Sequence, residues 1–297
     1  MSVFVVFCTE KPTRVAFIIR APFPICFRRL SMTILEPYVQ KEYLALKINY
    51  CKQRLAELPE VTMTKRSIRG EKRDVFLFNS HYHQINSKTG KELSPFVQQR
   101  ETLLCELSRL EGLWNSSFRG LPPPDIQPAK IIRRYIDSNN NSVIIDGKFF
   151  ESLKHDANPY YPEHKKYFFN GTYYRSPIEA EIARDYTEQN IPFKYEPEIW
   201  LKGLNHPIYT DFVVLIKELD LCKFHEHFGL KNSADYSRKT ATTYINYSDA
   251  GLLPELDVFY TYDVDAFPFD PRVLRTKLNS AVYSSLFGLD IPSSFTL

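Results

Sequence analysis

Between Arg175 and Tyr247 the hydrophobic period changes from that of a helix to that of strands and back, and carboxylates sit inside the apolar segments. Ser176-Pro177-Ile178-Glu179 opens the first segment. Ser is a natural N-cap, Pro is harmless at the first helical position, and Glu three residues after the cap completes a capping box. Ile182, Ala183 and Tyr186 follow Glu179 by three, four and seven residues, which predicts a helix carrying Glu179 on its buried face. Glu181, Arg184, Asp185 and Glu188 fall on the face expected to be solvated.

Three strands are predicted next. Phe193 to Leu201 alternates, Leu204-Asn205-His206 turns the chain back, and Ile208 to Ile216 is apolar around an embedded Asp211. Leu221 to His227 is the third strand; it ends in Glu226 and His227, with Gly229 beyond. The connection between Ile216 and Leu221 is too short for anything but a hairpin, so Asp211 and Glu226 are expected on paired strands. Two carboxylates so placed repel unless a proton or a cation lies between them. For oxygen ligands that cation is magnesium, with manganese as the alternative. A helix from Ala234 to Tyr247, carrying Tyr236 and Lys239, closes the unit.

The rest of the 297-residue chain, long enough for one large or two modest domains, frames this unit. Residues 1–31 hold short apolar runs broken by Arg14, Arg20, Arg28 and Arg29. None approaches the ~18 residues of a membrane span, and their order is not that of a secretory signal. They are expected to be a non-native or disordered leader, with Met32 as the functional start. Residues 32–120 are expected to form a helical, coiled-coil-like N-terminal domain. Leu44, Ile48, Cys51, Leu55 and Leu58 make one stripe; Phe96, Leu103, Leu107, Leu110 and Trp114 make another, with Pro95 near the second helix's start. The two stripes predict an antiparallel pair, a surface through which the protein is also expected to self-associate. Between them a basic run, Lys65 to Arg73, is expected as a solvated loop and Val75 to Ile85 as strand; His81 and His83 there have no metal-ligand partners at the right spacing. Residues 121–167 are expected as a linker and short strand-turn region, with a helical stretch from Lys130 to Tyr135. The last domain, 168–297, is expected to begin with a hairpin turned at Asn170-Gly171 and to end in a strand from Leu256 and a helix from Asp270. That helix's inner side is expected to carry Val273, Leu274, Leu278, Val282 and Leu286. The five cysteines are scattered with no CxxC pair, which argues against a disulfide scaffold or zinc ribbon and for a reducing, cytoplasmic setting.

Taken in order, S-x-x-E-x-x-I-A at Ser176–Ala183, P-F-x-Y-E at Pro192–Glu196, T-D-F at Thr210–Phe212 and H-E-H-F-G at His225–Gly229 resemble the PD-(D/E)XK nuclease-like superfamily. The resemblance spans Phe168 to Leu286 and is to a group of bacterial proteins with a helical N-terminal extension. It implies an α/β fold, a mixed central sheet flanked by helices as in restriction endonucleases. It also implies magnesium- or manganese-dependent hydrolysis of a nucleic-acid phosphodiester, with DNA as the expected partner and no membrane. On it Asp211 and Glu226 hold the metal and Glu179 adds a direct or outer-sphere contact. Lys239 or His227 stabilises charge or positions the attacking water. Three departures stand out: His225 where Trp is usual, Thr210 where Pro is usual, and Phe228 where the superfamily's lysine follows its third carboxylate. The displaced lysine's place on the next helix is Thr243, one turn after Lys239. The alternative implied by the missing lysine is an inactive nuclease-like module that binds nucleic acid or a protein.

Overall fold

The computed structural model describes residues 41–68, 70–229, 234–263 and 268–286, without the side chains of Ile68, residues 234–237 and Lys239. The expected leader, 1–31, lies outside these residues. Helix α1 (Lys41–Glu57) packs on helix α2 (Lys88–Phe118). Arg100 of α2 donates to Leu55 O near the end of α1, whereas Lys52, earlier on α1, pairs with Glu111 farther along α2, so the pair is antiparallel. Leu44, Ile48 and Cys51 are buried against Leu110 and Trp114.

This region is not purely helical. Strands β1 (Val61–Ile68), β2 (Glu71–Phe78) and β3 (His81–Gln84) form an antiparallel sheet between the two helices. Lys65, Arg66, Lys72 and Arg73 of the basic run expected as a loop therefore lie on β1 and β2, with Lys65 opposite Asp74. These four charges are exposed on a ribbon that water reaches, so they do not oppose pairing. Helix α2 also begins earlier than predicted. Ser87 Oγ accepts from Gly90 N, and a Cβ on Gly90 would lie 2.0 Å from Gln84 O. That glycine marks a close approach of backbone. Pro95 is consequently inside α2, and Phe96 is exposed while Leu93 and Val97 take the buried places.

Residues 130–135 are not helical, contrary to expectation. Ala129 N and Ile131 N donate to Glu218 O and Leu219 O, which holds the chain extended into β4 (Arg134–Ile136), paired with β5 (Ser142–Ile144). Helix α3 (Gly147–Ser152) follows, capped by Asp146. The hairpin of β6 (Tyr167–Phe169) and β7 (Thr172–Tyr174) turns at Asn170 and Gly171, both at positive φ. It delivers the chain to α4 (Pro177–Glu188).

Strands β8 (Phe193–Tyr195), β9 (Glu198–Ile199), β10 (Ile208–Tyr209), β11 (Phe212–Ile216) and β12 (Leu221–Gly229) come next. Helix α5 (Ala234–Asp249), strand β13 (Val258–Asp263) and helix α6 (Pro271–Leu286) complete the described chain. The central sheet has four strands in the order β13-β12-β11-β8; β12 and β13 are parallel and the other neighbours antiparallel. The fold is thus α/β with a mixed sheet.

Alternation along the strands sorts the helices into two layers. One face carries a row of rings, Tyr195, Phe212, His225 and Phe259, one from each strand, with centroids 5.5, 5.7 and 4.6 Å apart in that order. Tyr186 of α4 packs on this row, and Ser285 of α6 bonds the buried Lys223 on the same face. The other face carries Phe224, Glu226 and Phe228, covered by Phe149 of α3 and by Tyr244 and Tyr247 of α5. Two expectations about helix faces fail. Asp185 is 4% exposed because Arg275 of α6 pairs with it, and Val273 is 48% exposed while Leu274 and Leu278 turn inward. Among the described residues no helix is long and apolar enough to cross a membrane.

Candidate metal centre

Two of the predicted strands break, each at a carboxylate. The first splits into β8 and β9 at Glu196, whose φ of 41° is left-handed. The second splits into β10 and β11 at Thr210-Asp211. The breaks face each other, and Glu196 N donates to Asp211 O at 3.0 Å. A left-handed glutamate is strained by about 1–2 kcal/mol. Its partners offset this: the fully buried carboxylate pairs with Arg175, accepts from Asn158 Nδ2 at 2.9 Å, and lies 3.2 Å from Lys165 Nζ.

Asp211 lies one step beyond the Phe212–His225 pair of the antiparallel ladder and so opposes Glu226, with both side chains on one side of the sheet. Asp211 Oδ2 accepts from His227 N at 2.7 Å, and Oδ1 is 3.7 Å from Arg175 Nη2. Glu226 accepts from the hydroxyl of Tyr247. Glu179 comes from α4. Ser176 Oγ caps its amide at 3.0 Å, but its carboxylate bonds Arg175 N (3.1 Å) and Tyr195 OH (2.6 Å). The predicted cap is therefore half of Glu179's role; the other half turns its carboxylate towards the strands.

Glu179, Asp211 and Glu226 line one cleft of about 830 Å³, with Arg175, His227 and Tyr161 also on its wall. Burial, then the charges of Glu226 and Glu179, raise the Asp211 carboxyl well above its ordinary value; the His227 N–H and Arg175 act against this. A proton or a cation relieves such a cluster.

His227 lines the same cleft, but strand alternation sets its ring on the face opposite Glu226, where Nδ1 bonds Thr261 Oγ1 at 2.8 Å. Burial pushes its pKa down to about 4, with Asp263 opposing. His225 completes a chain of bonds behind it: Nε2 to the same Thr261 hydroxyl at 2.7 Å, and Nδ1 to Tyr186 OH at 2.7 Å. Lys239 belongs to α5, but its side chain lies outside the described residues. Phe228, where the sequence resemblance expects a lysine, stacks on Tyr260 at 5.6 Å and 12°.

Sequence reasoning missed Arg175 and Glu196. Arg175 directly precedes the cap, and Glu196 ends P-F-K-Y-E, so position was the available signal; neither stands out by type. Burial would lower the Arg175 pKa, but Glu196 and Glu179 outweigh it and hold the guanidinium charged. Among the described residues no group of three or more His, Cys, Asp and Glu side chains is arranged to enclose a metal ion. Magnesium does not require one: it is commonly held by one or two carboxylates, several waters and substrate phosphate. The all-oxygen donor set and the mutual repulsion of the carboxylates fit such an ion. Compared with protein families, curated proteins and solved structures, the chain matches no family model, no curated protein and no solved structure.

Proposed function

We propose that the cleft hydrolyses phosphodiester bonds of nucleic acid, with DNA as substrate, on a restriction-endonuclease-like core preceded by a helix-rich N-terminal extension. The observation that carries this reading is the placement of Asp211 directly opposite Glu226 at the cleft, with Glu179 close enough to raise the Asp211 carboxyl further. Asp211 and Glu226 would hold magnesium or manganese, and Glu179 would bind it directly or through water. When bound, the ion supplies polarisation of a phosphoryl oxygen and a more acidic water. The chain's own residues do the rest. The His227 N–H fixes the rotamer of Asp211, Tyr247 that of Glu226, and Tyr195 that of Glu179. Arg175, braced by Glu196, presents positive charge to a phosphate.

Phe228 supports a second reading, an inactive nuclease-like module, because its place is filled by aromatic packing. One experiment separates the two. Labelled single- and double-stranded DNA is incubated with the protein in magnesium or manganese, beside Asp211→Asn and Glu226→Gln. Metal-dependent cleavage lost in both variants is expected. Saturable metal binding without cleavage would leave the module reading.

A further inference from the structure

We propose that the cleft takes single-stranded nucleic acid, with an unpaired base stacked on Tyr160 and Tyr161 beside the phosphate at Asp211 and Glu226. This rests on the phosphodiester reading of the carboxylates. Tyr160 and Tyr161 both line the cleft and are 59% and 61% exposed. Single exposed aromatic side chains need no explanation. These two are consecutive, and their loop is tied to β8 and Glu196 by hydrogen bonds although the rings stay in water. Asp156 N and Ala157 N donate to Tyr195 O and Glu196 O. Tyr160 N donates to Asn158 Oδ1 at 2.9 Å, and the Asn158 amide donates in turn to Glu196. Lys165 ties Asp156 to Glu196. Glu196, the residue that braces Arg175, thus braces the aromatic rim as well.

The rings are already ordered. Tyr161 stacks on His164 at 5.3 Å and 8°, and Tyr160 sits edge-on to Tyr209 at 5.9 Å and 76°. Tyr161 adopts φ 55°, a left-handed conformation unusual for an aromatic residue. Ordered, solvated rings are what base stacking uses, since every base offers a π face and little side-chain freedom is left to lose. A duplex hides those faces within its own stack. The wall beside the rim is rich in carboxylates, so it offers a phosphate backbone less attraction than a basic groove would, and stacking supplies the contact.

The test uses the full chain in calcium and fluorescence anisotropy with three labelled probes: a short oligothymidylate, an abasic oligonucleotide of the same length, and a blunt hairpin duplex. The oligothymidylate is expected to bind at least about tenfold more tightly than either other probe. Tyr161→Ala should lose about five- to 150-fold on that probe, the range carried by one stacked base, and nothing on the abasic one. Tyr161→Trp should retain binding. Equal binding of the abasic and thymidylate probes would overturn the inference. So would preference for the duplex, or no binding of any probe, which would leave the rim to a peptide. Stacking-dependent binding without cleavage in magnesium removes the hydrolytic reading and leaves this one; cleavage of duplex with both tyrosines dispensable does the reverse.

Discussion

Replacing Asp211 by Asn should stabilise the metal-free protein and abolish its response to magnesium. Opposed residues of an antiparallel pair have Cβ atoms about 4.5–5.5 Å apart. Carboxyl groups about 6 Å apart, at an effective dielectric constant of about 20, repel by about 2.8 kcal/mol. Both side chains are little exposed, Asp211 14% and Glu226 8%, so solvent screens this only in part. Asn keeps an oxygen for the His227 N–H but loses the charge that strengthens that bond, about 1 kcal/mol. The contact with the partly exposed Arg175 is worth about 0.5 kcal/mol more. A net gain of about 1–2 kcal/mol remains, which raises Tm by roughly 2–6 °C. The sign with pH follows from the raised Asp211 pKa. Below about pH 3.9 the carboxyl is protonated folded and unfolded, and wild type carries no penalty. As pH rises through the folded value, wild type loses that stability, so the advantage of Asn grows with pH. Magnesium at about 100 times its Kd should add about 2.7 kcal/mol to wild type. Thermal melts at low salt and pH 8, in EDTA and in magnesium, read both effects. An Asn variant that melts lower in EDTA, or that responds to magnesium like wild type, would refute the reasoning.

Two further outcomes are expected. Glu179→Gln keeps an amide oxygen for Tyr195 OH and Arg175 N, so its Tm should change little, while cleavage falls at least tenfold, about 1.4 kcal/mol; an unchanged rate would reduce Glu179 to a cap. His225→Phe keeps the stack but strips Tyr186 OH and Thr261 Oγ1 of ring nitrogens, which should cost about 1–3 kcal/mol in urea titration. Burial holds His225 neutral far below its ordinary pKa, so its share of metal-free stability is present above about pH 6.5 and is lost as pH falls. The acid limb of the variant should be shallower than that of wild type, and an identical limb would place the titration elsewhere.

The helix at Ser176 was legible because three local signals agree there: the cap, the proline and the apolar period. The Asp211–Glu226 pairing was legible because a short connection fixes an antiparallel register. The breaks at Glu196 and Asp211 were not, because alternation continues through both positions and what interrupts it is non-local. Arg175, Asn158 and Lys165 reach Glu196 from residues far apart in the chain, and local periodicity carries no trace of them. The helical stretch expected at 130–135 failed for a similar reason: the turn at 217–219 supplies carbonyls that hold it extended. Asp185 was misread as solvated because its partner, Arg275, lies on α6.

The departures from the pattern that the sequence resembles have separate physical meanings. His225 stands in the row of rings between Phe212 and Phe259, nearly parallel to Phe259 at 10°, so the place demands a flat side chain and His meets that demand. Its two nitrogens then require Tyr186 and Thr261. That departure belongs to the core. Phe228 is different, because it shares a face with Glu226 and lines the cleft. Its ring stacks on Tyr260, and Tyr260 in turn lies 4.1 Å from Tyr244. A lysine there would take its stem into that aromatic group and leave its ammonium beside Glu226. In the proposed reading the positive charge comes instead from Arg175, on the turn before α4. Its Nη2 pairs with the buried Glu196 and lies 3.7 Å from Asp211 Oδ1, so the guanidinium is shared between two carboxylates. A guanidinium so placed has donors left for a phosphate, whereas a lysine ammonium held by two carboxylates would have few.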